Sequence, residues 1–135
     1  MEMVEKGYER YVREHSIEVG FTHAFVKANP KQLDEIMDVL MTDLPPLEVF
    51  LGHVIGRQEF DVGDRLREIR VPTLVIVGED EDHGSSHGIT HKEFAESLAR
   101  DIPGAQLVVI PGQGHYYPLA APAETHRIIR QFLAR

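Results

Sequence analysis

Two stretches in the second half of the chain decide its fold: Val71-Pro-Thr-Leu-Val-Ile-Val-Gly-Glu-Asp-Glu-Asp82 and Gln106-Leu-Val-Val-Ile-Pro-Gly-Gln-Gly-His115. Each contains an apolar run that is too short for a helix and is bounded by proline or glycine. Such runs are typical of strands buried on both faces of a sheet. The sequence therefore predicts strands at Thr73–Val77 and Leu107–Ile110, each followed by polar residues.

The segment between these strands predicts a helix. Thr90-His-Lys-Glu93 has the pattern of a capping box, and Phe94, Leu98 and Ile102 follow as an apolar stripe. Pro122 opens a last helix, whose apolar residues are Ile128, Ile129, Phe132 and Leu133. The order strand–helix–strand–helix predicts parallel strands joined by a right-handed crossover.

The first half of the chain has helical patterning instead. Val4, Tyr8, Tyr11 and Val12 recur at helical spacing, and Asn29-Pro-Lys-Gln32 predicts a capped helix start. Pro45-Pro46 ends that helix, and a second amphipathic helix follows and closes at Gly56. The apolar stripes of these two helices are Leu33, Ile36, Met37, Leu40 and Met41, and then Leu47, Phe50, Leu51, Val54 and Ile55. We predict a helical segment at 1–60 and an α/β segment at 61–135.

Composition narrows the function classes. The chain has 135 residues, a net charge of -8 and no cysteine. Because no Lys/Arg cluster is present, nucleic acid and anionic membrane surfaces are not expected partners. Disulfides and thiolate metal sites are excluded. The first twenty residues contain no apolar run, so we expect no signal peptide, no membrane span and a cytoplasmic protein.

Residues from about 60 onward resemble the C-terminal part of an α/β-hydrolase. The matching pieces are Arg65-Leu-x-x-Ile69-x-Val-Pro72-Thr-Leu-Val-Ile-Val-Gly78, Ile102-Pro-Gly-Ala105, Leu107-Val-Val-Ile-Pro-Gly-x-Gly-His115 and Pro122-x-Glu124. The helical residues 1–60 are similar in character to the cap subdomain of such enzymes. The resemblance implies a partial α/β-hydrolase fold that lacks the half with the nucleophile elbow and the oxyanion-hole loop.

The resemblance also implies roles for residues at the two strand ends. His115 corresponds to the general base, which takes a proton from the nucleophile. The acid that orients the imidazole follows the first strand, where Glu79, Asp80, Glu81 and Asp82 all compete. The usual family spacing favours Glu81, and the commoner chemical choice of aspartate favours Asp82. We take His115 and Asp82 as the predicted catalytic pair.

Two further patterns in the loop between the first strand and the next helix do not predict sites. Gly84-Ser-Ser-His-Gly88 matches the G-x-S-x-G pattern, but a nucleophilic Ser86 would need a sharp turn directly between a strand and a helix. His83, His87 and His91 recur every four residues, but Gly84 and Gly88 disfavour the helix that would align them for zinc. We expect neither a metal nor a cofactor.

Two functions remain open. The first is the C-terminal part of a hydrolase acting on a small-molecule ester, lactone or related acyl substrate, inactive by itself because the nucleophile is absent. The second is a non-catalytic module that self-associates. The strand Thr73–Val77 would keep an unpaired edge in a two-stranded sheet, and two copies could join these edges antiparallel in a homodimer.

Overall fold

The computed structural model describes residues 7–79 and 89–134, apart from the side chains of residues 58 and 59. Its strands are β1 (Leu74–Gly78) and β2 (Gln106–Ile110), and Gly63–Glu68 forms a 3-10 helix. The α-helices are α1 (Tyr8–Gly20), α2 (His23–Ala28), α3 (Pro30–Met41), α4 (Leu47–Glu59), α5 (His91–Asp101), α6 (Tyr117–Ala120) and α7 (Pro122–Leu133). The predicted α/β architecture is confirmed, and the described residues also form two short helices, α2 and α6, that were not predicted.

The two strands pair in parallel, as their order in the chain predicted. Leu74 lies opposite Gln106, and the register continues to Gly78 opposite Ile110. The expectation that both faces of the strands are fully buried was wrong for much of the sheet. Val77, Gly78 and Ile110 are buried, whereas the other strand residues are half-buried. In the described part of the chain each strand has one paired neighbour, so each keeps an open edge.

The helical half packs around a core cluster of Phe21, Leu33 and Met37. Met37 is completely buried, with a relative exposure of 0%. Apolar residues that pack against this cluster come from both halves of the chain: Ile17, Phe25, Val26, Ile36, Met41, Tyr116 and Ala120. The helical segment therefore shares its core with the region that follows β2.

Two details of the helix ends in this half differ from the prediction. Helix α3 begins at Pro30 as expected, but the Asn29 side chain makes no capping bond to α3. Its Nδ2 instead donates to Phe25 O at 3.2 Å, because Asn29 also ends α2. Helix α4 continues past Gly56 to Glu59. A glycine inside a helix costs only about 1 kcal/mol relative to alanine, so it does not by itself end the helix.

The predicted apolar stripes are only partly buried. Of the stripe predicted for α5, Leu98 is half-buried and Ile102, just after the helix, is buried, but Phe94 is 51% exposed and Ala95 is buried in its place. In α7 Ile128 is buried and Leu133 is exposed. The stripe of α4 is also largely exposed, at Leu47, Leu51 and Ile55.

None of the helices in the described part of the chain has the length and apolar content needed to span a bilayer.

The capping box of α5 is confirmed, and it predicts a pH-dependent contribution to stability. Glu93 N donates to the Thr90 hydroxyl oxygen at 3.1 Å, and Thr90 N donates to the Glu93 carboxylate at 2.7 Å. Hydrogen bonds from the Thr90 backbone, and then from its hydroxyl, lower the pKa of the Glu93 carboxyl below its ordinary value. The ionised form is therefore favoured in the folded state.

The direction of this pH dependence follows from the lowered pKa of Glu93. The contribution of Glu93 is complete above the unfolded-state pKa of about 4.3 and is lost as the pH falls through the folded-state value. We expect the stability difference between the wild type and Glu93→Gln, measured by urea unfolding, to be larger at pH 7 than at pH 3. Glu96→Gln, at an exposed position of the same helix, is the matched control, and its stability difference from the wild type should be the same at pH 7 and at pH 3. A Glu93→Gln difference that is constant with pH would contradict the prediction.

Candidate functional site

The loops that follow the two strands are tied together by Glu79. Its backbone N–H donates to Ile110 O at 2.9 Å, which continues the β1–β2 pairing by one step. Its carboxylate accepts a hydrogen bond from Gly112 N at 3.1 Å. Glu79 is the acid candidate that the structure describes, and it holds the loop after β2 by its backbone and by its side chain.

The loop that carries His115 lies directly against the end of β1. A Cβ atom placed on Gly78 would lie 2.2 Å from Gln113 O and 2.6 Å from Gly114 O, so the two chain segments approach as closely as glycine allows. Gly112, at a φ of 64°, has the left-handed conformation that the turn of this loop requires. The close contact brings His115 beside the carboxyl end of β1.

His115 stands in the loop after β2, as predicted, and is exposed to solvent. Its ring stacks on the ring of His91, with the centroids 4.8 Å apart and an interplanar angle of 26°. The Tyr116 ring lies 5.7 Å away on a tilted plane. His91 is the first residue of α5 and is half-buried. The imidazole is thus open to solvent while one of its faces rests on another histidine.

The other acid candidates, Asp80, Glu81 and Asp82, lie outside the described residues. The assignment of Asp82 as the orienting acid therefore stays a prediction, and so does the catalytic role of His115. Ser86, His83 and His87 also lie outside the described part. Within residues 7–79 and 89–134, no three histidine or acidic side chains come together in a way that could hold a metal ion.

Sequence reasoning missed the position of His91. The capping box correctly indicated that His91 begins a helix, but nothing local to it indicated that His115 would stack on it. The Tyr117 hydroxyl donates to Ile76 O at 3.3 Å, in the middle of β1. These contacts join residues far apart in the sequence, so a reading of local patterns could not find them.

The Ile76 carbonyl lies on the outer edge of β1. The pairing with β2 uses Thr73 O and Glu79 N, and alternate residues of a strand direct their backbone groups to the same side. Residues 74, 76 and 78 therefore face away from β2. A cleft of about 470 Å³ follows this edge, between Phe94 and Leu98 of α5 and the segment 115–119. The cleft is mainly apolar, and the Tyr117 hydroxyl reaches across it to the strand.

The chemistry that this arrangement can perform is proton transfer. An exposed imidazole beside two strand ends can accept a proton from a group that approaches from solvent, as histidine does in general acid–base catalysis. The serines in the described part of the chain, Ser16 and Ser97, lie within α1 and α5. Neither occupies the strand-to-helix turn that exposes a nucleophile in a hydrolase.

Comparison with curated proteins identifies relatives with hydrolase names. The chain is 24% identical over 132 residues to the protein named carbamate hydrolase RutD of Pseudomonas syringae pv. syringae (strain B728a). The match covers 98% of the chain and 48% of that protein. The chain thus spans about half the length of the curated relatives it matches. No family model matches it.

Solved structures of α/β-hydrolases superpose on nearly the whole chain. A thermophilic esterase from Thermogutta terrifontis is 28% identical with a TM-score of 0.78, and the match covers 98% of the chain and 46% of the esterase. The enol-lactonase from Burkholderia xenovorans LB400 is 20% identical with a TM-score of 0.79, over 98% of the chain and 48% of the enzyme. The predicted resemblance is confirmed: the chain has the fold of the C-terminal part of an α/β-hydrolase.

Proposed function

We propose that this chain supplies the general base and its orienting acid to a serine-type α/β-hydrolase that cleaves an ester, lactone or related acyl bond. His115 takes the proton of a serine nucleophile that the described residues do not contain. Asp82 holds the imidazole in the correct tautomer, with Asp80 and Glu81 as alternatives. The observation that carries the proposal is the exposed His115 ring, placed after β2 beside the end of β1.

The names of three relatives support the class of bond that we propose, an ester, lactone or related acyl bond. One carries the name of a carbamate hydrolase, one is an esterase, and a third structure, 26% identical with a TM-score of 0.67, is described as an N-acyl homoserine lactone degrading enzyme. All three names refer to a carbonyl carbon bonded to oxygen or nitrogen, which a serine attacks through a tetrahedral intermediate. The helical segment, as a cap, would line the substrate pocket.

The first test uses the chain alone. An imidazole without a nucleophile and oxyanion donors supplies little acyl-transfer catalysis. We expect no saturable hydrolysis of p-nitrophenyl acetate and no labelling by a fluorophosphonate probe, which reacts with activated serines. Saturable turnover that Ser86→Ala abolishes would contradict the proposal, because it would place the nucleophile in the Gly84–Gly88 loop.

The second test uses a longer polypeptide, if the gene encodes one in frame with this chain and with a strand–G-x-S-x-G–helix segment. In that protein we expect His115→Ala to lower kcat on its best ester substrate by at least about 10³-fold. His126→Ala, an exposed histidine on α7, is the matched control and should leave kcat unchanged. Full activity in His115→Ala would rule out His115 as the base.

The second candidate function is a non-catalytic, self-associating module. The observation in its favour is the apolar cleft along the outer edge of β1, where another strand could pair. A homodimer joined antiparallel through Thr73–Val77 would form a four-stranded sheet. The Tyr117 hydroxyl that binds Ile76 O would have to leave this edge first.

Sedimentation velocity tests the self-association. A dimer formed through this edge should become tighter in Tyr117→Phe, which frees the Ile76 carbonyl. It should be lost in Ile76→Pro, which removes a backbone N–H that faces away from β2. A folded wild-type monomer at micromolar concentration would exclude this function.

A further inference from the structure

The two residues on either side of His115 both contact the end of α1. Tyr116 N donates to Gly20 O at 2.7 Å, one of the shortest backbone hydrogen bonds outside the regular elements. Gly114 packs against the same carbonyl: a Cβ atom on Gly114 would lie 2.8 Å from Gly20 O. The backbone of the predicted base is therefore held at both sides by a single peptide group of the helical segment.

Side chains reinforce the contact. The Tyr116 ring covers Gly20 so closely that a Cβ atom there would lie 2.3 Å from the nearest ring carbon. The same ring meets Phe21 edge-on, with the centroids 5.4 Å apart and an interplanar angle of 76°. Phe21 is 5% exposed and belongs to the core cluster around Met37. Tyr116 thus joins the His115 loop to the most buried part of the helical segment.

On its other side the His115 ring meets α5. Its face stacks on His91, at the start of that helix. Two contacts within the described part of the chain therefore bear on the orientation of the imidazole: the end of α1, which acts through Gly114 and Tyr116, and the ring of His91. A shift of α1 relative to β2 would tilt His115 against His91.

We propose that Gly20 and Phe21 are positioning residues for His115. They do not touch a substrate; they hold Gly114 and Tyr116 and thereby set the direction of the imidazole. The proposal rests on the proposed function, in which His115 is the general base. In this proposal the helical segment orients His115 in addition to covering the substrate pocket, because a movement of this segment changes the alignment of the base. A misplacement of about 1 Å in a catalytic group can cost a hundredfold in rate.

The test reads the geometry of His115 without requiring activity. The ring resonances of His115 and His91 are assigned by ¹H–¹⁵N NMR with His115→Gln and His91→Gln, and the NOE between the two rings is measured. In Gly20→Ala the new methyl group displaces the Tyr116 ring. In Phe21→Leu the edge contact is lost while the apolar volume is largely kept, so this variant decides the test if Gly20→Ala does not fold.

Two matched controls separate positioning from general loss of packing. Phe25→Leu changes a ring that stacks on Phe21, with the centroids 5.1 Å apart, in the same cluster. Gly52→Ala adds a methyl group in α4, where nothing lies within 4 Å. We expect the His115 resonances to move and the His91–His115 NOE to weaken at least twofold in Gly20→Ala and Phe21→Leu, and to stay unchanged in both controls.

Unchanged His115 signals in a folded Phe21→Leu, or equal changes in Phe25→Leu, would overturn the positioning role. The proposed function can fail separately, since it is tested by the activity of His115→Ala. If His115 is not the base but its ring still moves in Phe21→Leu, the function is wrong and the structural coupling stands. If the activity test succeeds and the NMR signals do not move, only the positioning role is wrong.

Discussion

Gly78→Ala is expected to lower the free energy of unfolding by about 3 kcal/mol, near the upper end for an added methyl group in a packed site. The new Cβ atom would lie 2.2 Å from Gln113 O and 2.6 Å from Gly114 O. Both are backbone atoms, which cannot rotate away as a side chain would. The loop after β2 must lift, and the hydrogen bond from Gly112 N to the Glu79 carboxylate is then strained or lost.

Urea unfolding followed by circular dichroism measures this loss. Gly56→Ala is the matched control, because α4 has helical geometry at that position and nothing lies within 4 Å of the added methyl group. Alanine is the better helix former there, so this control should gain about 0.5–1 kcal/mol. A Gly78→Ala protein as stable as the wild type would show that the His115 loop does not rest on the end of β1.

The same variant should disturb the site as well as the stability. Since His115 follows the lifted segment directly, its ring should leave the stacked position on His91. The requirement for glycine at the end of β1 thus has two consequences, one for the pairing of the strands and one for the placement of the candidate base. From the sequence, Gly78 could be recognised as the end of the strand. The close approach of the backbone at Gln113 and Gly114 could not be predicted from the sequence.

Local patterns were sufficient to predict both strands and the longer helices in the described part of the chain. The change from helical spacing to short apolar runs located both strands to within one residue, and the capping box located the start of α5. Which face of a helix is buried was predicted less well. Phe94 and Ala95 differ by one position on α5, and only the neighbouring elements decide that Ala95 turns inward. The spacing of apolar residues along a helix does not decide which of two adjacent residues faces the core.

The candidate site could be predicted only in part, for a related reason. His115 was identified by its place after an apolar strand, which is a local signal. Within the described residues, contacts that hold this part of the loop come from His91 and from Gly20, which no periodicity or spacing links to position 115. The contact with Gly20 arises where the helical segment packs against the α/β segment, and the contact with His91 arises within the α/β segment, where α5 meets the loop after β2. A sequence shows which residues stand at strand ends, whereas packing decides what surrounds them.

Met37→Ala is expected to lower the free energy of unfolding by about 3 kcal/mol, within the range for truncating a buried methionine. Met37 is completely buried, at the centre of the cluster that it forms with Phe21 and Leu33. Truncation leaves a cavity that the surrounding helices fill only partly. Met37→Leu is the matched control and should lose less than about 1.5 kcal/mol, because it nearly conserves the volume.

The position of the cluster extends this prediction to the second half of the chain. Tyr116 and Ala120 pack against it, so the cavity lies under the segment that follows His115. We therefore expect the helical and α/β segments of Met37→Ala to unfold in a single transition, at a lower urea concentration than in the wild type. Tyrosine fluorescence and far-UV circular dichroism should follow the same curve. Separate transitions would contradict a shared core, and they would also remove the physical basis for a helical segment that orients His115.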